Sequence, residues 1–188
     1  METLLSLKIL STLNSLDYLS LNCDYLYSKN IDFVDSMPNL SVLSLHFYHY
    51  GDTVHMIKDI SKLAVLSKLK ELWISRFDSL TNISPISTMT TLNSFGMSFC
   101  HTISDISPVS SLTDLPKLVF YHCDSLKNIS PIGNLKNLEY LSLEGCKNIS
   151  DYSPLLSCWE AGDIVEINGV PDSVKAQLRD KGVIVAKK

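Results

Sequence analysis

The sequence predicts an α/β solenoid, in which short parallel strands stack into one curved sheet and a 3₁₀ or helical turn returns the chain after each. Three observations carry this. A 23-residue register recurs, with units starting at Leu69, Leu92, Leu115 and Leu138. The first part of each unit, as at Leu138, Leu141 and Leu143, has the period-2 pattern of a strand with one buried face. The second part, as at Ile129, Ile132, Leu135 and Leu138, is spaced by threes and suits a tight turn with an apolar edge. Self-similarity at such a period is the signature of stacked units, because one unit alone cannot bury its leucines.

Residues 1–15 read as the outer half of a unit without its strand, with Leu7, Leu10 and Leu13 in the columns of Ile83, Ile86 and Met89. The first strand is expected at Leu16, Leu19 and Leu21, and the second at Leu40, Leu43 and Leu45. The N-terminal end is read as uncapped, and its edge near Leu4 and Leu7 as a possible place for self-association. The second unit carries the insertion HFYHYGDTVHMIKD, expected as a loop on the binding face. Its histidines, His46, His49 and His55, are metal-ligating types, but histidines in an aromatic loop are more often plain surface residues, and no metal is expected.

Strands follow at Leu69, Leu92, Leu115 and Leu138, giving about seven in the sheet. Each is preceded or followed by Ser-Pro pairs: Ser84-Pro85, Ser107-Pro108, Ser130-Pro131 and Ser153-Pro154. Serine favours the N-cap and proline the first helical position, so each serine is expected to cap an outer turn. The array is expected over 1–158 and a closing strand-helix-strand over 159–188. There the pattern predicts a last strand in Gly162 to Asn168, a helix in Pro171 to Lys181 ended by Gly182, and a closing Val183-Ile184-Val185 strand.

The template L-x-x-L-x-L-x-x-C-x-x-L/I-x-N/D-I-S-P-I-x-x-L-x-x resembles the leucine-rich repeat family. The ISDISPV and KNISPI segments are most similar to its internalin-type bacterial subclass. The resemblance implies a parallel concave sheet, a helical C-terminal cap and a binding role. The chain departs from the subclass in one column, where Cys100, Cys123 and Cys146 replace the usual asparagine, and its unit is one residue longer.

Composition bounds the function. Apolar residues make up 45% of 188 residues, enough for one continuous core. The net charge of −4 gives no basic footprint for nucleic acid. No apolar run approaches the length of a membrane span. The start METLLSLKILSTLNSL lacks a cationic region and a cleavage site, and reads as structure. The cysteine column is expected as buried, reduced thiols acting as small hydrophobes, which suits a reducing compartment such as the cytoplasm; an upstream signal removed from the chain would place it outside the cell. Three ligands in a line do not surround a tetrahedral zinc ion. No nucleophile elbow, phosphate loop or H-E-x-x-H occurs. Cys23 and His46, expected outward on adjacent strands, lack a third orienting group, so no catalysis and no cofactor are expected.

What varies between units is the outward face. Its expected columns are Tyr18, Val42, Glu71, Ser94, Lys117, Tyr140; then Ser20, Ser44, Trp73, Gly96, Val119, Ser142; then Asn22, His46, Ser75, Ser98, Tyr121, Glu144. Beside them run Phe47, Arg76, Phe99 and His122. Trp73 between small residues is expected to form an aromatic shelf. Trp, Tyr and Arg dominate interface energetics, so the expected partner-binding set is Trp73, Tyr121, Tyr140, Arg76, His46, Tyr18, Phe47 and Phe99. The expected function is a non-enzymatic scaffold for a protein partner; the alternatives are a carbohydrate or small-ligand module centred on Trp73, or a recognition fragment of a larger protein.

Overall fold

The computed structural model describes residues 14–25, 31–48 and 57–186. Eight parallel strands follow chain order in one sheet: β1 (Tyr18–Asn22), β2 (Val42–His46), β3 (Glu71–Ser75), β4 (Ser94–Ser98), β5 (Lys117–Tyr121), β6 (Tyr140–Ser142), β7 (Ile164–Asn168) and β8 (Ile184–Val185). The closing strand is thus paired into the sheet beside β7. Return turns on the opposite side are 3₁₀ segments, among them Ser84–Thr88, Ser107–Ser111, Ser130–Asn134 and Ser153–Ser157. The N-terminal leucines, including Leu4 and Leu7, and the middle of the insertion, with His49 and His55, lie outside the described residues.

The core lies between sheet and turns. Inward strand residues such as Leu72, Ile74, Phe95, Leu118, Phe120 and Leu141 meet Ile86, Val109, Ile132 and Leu155 from the turns, all buried. Each such side chain contributes roughly 1.5–3 kcal/mol on burial, and only stacking completes that burial.

The turns are capped differently from the sequence expectation. Ser84, Ser107, Ser130 and Ser153 are the first residues of their turns, and no side chain of the capping residues Ile83, Ile106, Ile129 or Tyr152 bonds the turn. The acceptor stands two residues before each serine. Asn82, Asp105, Asn128 and Asp151 take the serine backbone N–H on a side-chain oxygen at 2.8, 2.8, 2.9 and 2.8 Å. This is an Asx turn, in which a short polar side chain mimics a backbone carbonyl. The capping signal was therefore the N/D of N/D-I-S-P; the serine follows it with proline second.

The C-terminal helix α1 (Asp172–Asp180) buries Leu178 beneath it. It ends in a Schellman arrangement: Gly182 N–H donates to Arg179 C=O at 2.9 Å and Val183 N–H to Leu178 C=O at 3.0 Å. Gly182 adopts φ +94°, a conformation costly for a side chain. Among the described residues no helix is long and apolar enough to cross a membrane.

Candidate functional site

The strand register sets the outward columns. Glu71, Ser94, Lys117, Tyr140 and Glu166 align in one row across β3 to β7. Trp73, Gly96, Val119, Ser142 and Asn168 align in the next. Within these rows the side chains form a continuous ladder. The Trp73 indole lies against the Cα of Gly96, where an added Cβ would fall 2.2 Å from Cζ3. Trp73 Nε1 donates to Glu71 Oε2 at 3.4 Å. Lys117 Nζ stands 5.1 Å from the Trp73 ring centroid and 5.3 Å from that of Tyr140. Asn168 Nδ2 donates to Tyr140 Oη at 3.2 Å and to Glu166 Oε1 at 3.4 Å. Ser94 and Ser142, expected outward, stand in these rows yet are buried, because larger neighbours cover short side chains.

A second ladder runs where the strands end. Arg76, Phe99 and His122 have φ of +62°, +54° and +52°, and Gly145 follows at +76°. Left-handed backbone costs a non-glycine residue of order 1–3 kcal/mol. The repeated conformation stacks successive side chains. Arg76 Cζ lies 4.8 Å above the Phe99 ring, and Phe99 and His122 stack at 5.1 Å with planes 6° apart. Tyr121 packs edge-on against both, at 5.3 Å from Phe99 and 4.5 Å from His122.

Phe47 departs from this ladder. Its N–H bonds Ser75 C=O as Arg76 N–H bonds Ser98 C=O, so the backbone register matches. Phe47 lacks the left-handed turn, however, and its side chain enters the core, 5% exposed, against Phe77 at 4.9 Å. Its expected place on the binding face is therefore corrected. His46 stays on the sheet face, edge-on to Tyr48 at 4.6 Å, and Tyr18 stands exposed on β1. Trp73 and Tyr140 meet through Lys117; Arg76 and Tyr121 meet on the Phe99 ring, which His122 also stacks on; among the described residues His46 and Tyr18 join neither group. Sequence reasoning left Glu71, Lys117, His122, Glu166 and Asn168 out of the site. Glu71 and Lys117 already shared a column with Tyr140, and that was the available signal.

Cys100, Cys123 and Cys146 are buried and unbridged in one column continuing Phe77. Their thiols donate to the carbonyls of Ile74, Met97 and Phe120 at 3.8, 3.6 and 3.4 Å. Burial pushes the Cys100 thiol up to about 12. The hydrogen bond to Cys146, then burial, raises the Cys123 thiol, and the same hydrogen bond lowers that of Cys146. Cys23 corrects another expectation. It does not face outward beside His46 but is fully buried, its thiol raised to about 12 by desolvation.

The sequence pattern described as the BspA type leucine rich repeat region matches residues 51–155, in six copies and over more than half of the chain. The chain belongs to the leucine-rich repeat family. No curated protein sequence matches it. Its repeats are internalin-like. An internalin (inlF) from Listeria monocytogenes is 25% identical over 94% of this chain and 49% of its own, with a TM-score of 0.64. An internalin C2 (inlC2) from the same species is 19% identical over 95% of this chain and 83% of its own, at 0.57. The functional domain of InlJ from L. monocytogenes, which includes a cysteine ladder, is 12% identical over 95% of this chain and 33% of its own, at 0.54. The chain thus spans about half the length of the first of these internalins. Leucine-rich repeat proteins of this kind are typically scaffolds for protein–protein interaction. Among the described residues of this repeat array no group of three metal-ligating side chains comes together.

Proposed function

We propose that this leucine-rich repeat chain is a non-enzymatic module that grips a protein partner on the concave sheet face around Trp73. The observation that carries this reading is the Glu71–Trp73–Lys117–Tyr140–Asn168 ladder, which spans five strands. Each aromatic ring in it is already held by a neighbour. A partner therefore meets side chains whose ordering cost is largely met before contact. Rigid Trp and Tyr side chains with apolar bodies and polar tips are the groups that dominate protein interfaces. The Arg76–Phe99–His122 stack, with Tyr121, extends the same face along the strand ends, and His46 lies in the row of Ser75 and Tyr121.

The outer turns offer a poor alternative surface for specificity, since their N/D-I-S-P units repeat nearly unchanged. The test is capture of partners by immobilised chain, comparing wild type with Trp73→Ala and with Lys127→Ala on the outer side, each shown to be folded. This reading expects Trp73→Ala to lose about 2 kcal/mol or more of affinity and Lys127→Ala to lose none. Equal affinity for the two variants overturns it.

A further inference from the structure

At the entry ends of β5 to β7 lies a cleft of about 790 Å³, on a different surface from the aromatic ladder. Its origin is a change of period. Lys117 and Tyr140 pair 23 residues apart, but Tyr140 and Glu166 pair 26 apart. The turns at Ser130 and Ser153 still keep the 23-residue spacing, so the three extra residues fall between the last turn and β7. The lengthened connection lets β7 overhang its neighbour. The β6–β7 ladder begins only at Tyr140 and Glu166, and Ile164 and Val165 find their strand partners on β8 alone.

Ile164 and Pro116 give the cleft its accessible apolar surface, with Leu138 and Val165 buried beneath them. Ile164 is 65% exposed although it belongs to a strand. Trp159 backs the floor, buried, with Nε1 donating to the Leu138 carbonyl. The rim is acidic. Asp114 and Asp163 each use one oxygen within the chain, accepting from Asn137 Nδ2 at 2.9 Å and from Glu160 N–H at 2.8 Å. Glu139 extends the rim and is exposed. Among the described residues of the lining Lys136 is the one cation, and its ammonium is engaged by the Ser157 carbonyl.

We propose that this cleft binds an extended basic segment of a protein partner, in which lysine or arginine alternates with apolar residues. An extended chain sends successive side chains to opposite sides. Laid along the β7 overhang, it sets apolar groups on Ile164 and Pro116 and cations toward Glu139, Asp114 and Asp163. On the side away from β8 the overhang has no strand partner among the described residues, which is the edge that strand addition uses. Three carboxylates facing one engaged ammonium favour a cationic occupant.

The experiment is an amide-resolved NMR titration of the full chain with a blocked peptide of alternating lysine and valine, against its glutamate–valine counterpart. The lysine peptide is expected to move the amides of Glu139, Ile164 and Val165, and to bind more weakly as salt rises. The glutamate peptide is expected to leave those amides in place. Glu139→Lys should lower the lysine peptide's affinity by about tenfold, and Ile164→Ser should lower it by a similar factor. Both positions are exposed, and an otherwise unchanged spectrum verifies the fold. Absence of shifts at these amides, equal binding of the two peptides, or unchanged affinity in Glu139→Lys overturns the proposal.

Discussion

Trp73 rests on Gly96, and the two are register partners on β3 and β4. The indole can lie on the sheet only because its neighbour has no side chain. A Cβ at Gly96 would lie 2.2 Å from Cζ3 and 2.3 Å from Cε3, far inside contact distance. Gly96→Ala is therefore expected to lift the ring at a cost of about 1–3 kcal/mol. The Trp73 indole N–H resonance should shift while that of buried Trp159 stays. An unmoved Trp73 resonance would show that the ring does not lie there.

The turn caps separate two neighbouring residues. Asn128 Oδ1 accepts the Ser130 N–H at 2.9 Å. Asn128→Ala should cost about 0.5–2 kcal/mol in denaturant unfolding, while Ser130→Ala should cost much less. The reverse order would return the capping role to serine.

Phe47 and Phe99 hold the same position in the repeat, two units apart, but face opposite ways. Phe47→Ala empties a buried site and should cost about 3–5 kcal/mol. Phe99, on the surface stack, should cost far less when changed to Ala. Unfolding midpoints of the two variants check this; similar losses would contradict the inward placement of Phe47.

The buried thiols make stability depend on pH at the alkaline end. Cys100 rises from 9.0 to about 12 on folding because burial disfavours the thiolate. The folded chain holds that proton more tightly, so its contribution is full below pH 9.0 and is lost as pH climbs toward about 12. Cys23 and Cys158 shift the same way, also by burial first. Thiol labelling of native protein at pH 8 should be slow at Cys100 and Cys123, and should accelerate with unfolding. Rapid native labelling would contradict their burial.

Much of this was legible in the sequence. The 23-residue spacing placed Glu71, Ser94, Lys117 and Tyr140 in one column, and the strand register agrees residue by residue. Two things were not legible. Which residue occupies a left-handed corner depends on backbone geometry rather than on hydropathy: Arg76, Phe99 and His122 turn outward, while Phe47 at the matching register turns in. The cleft beside Ile164 arises from three extra residues in a unit whose repeat pattern had already become irregular, so no column pointed to it. The serine of each Ser-Pro pair drew the capping role because serine is a common N-cap; the Asn or Asp two residues earlier was the stronger acceptor.

The most direct measurement on the central claim is the affinity of a captured protein partner for wild type, Trp73→Ala and Lys127→Ala. If the sheet face is the binding surface, wild type and Lys127→Ala bind alike, and Trp73→Ala weakens binding by about 2 kcal/mol or more. Equal binding by all three folded proteins would contradict the claim and move the site off the Trp73 ladder.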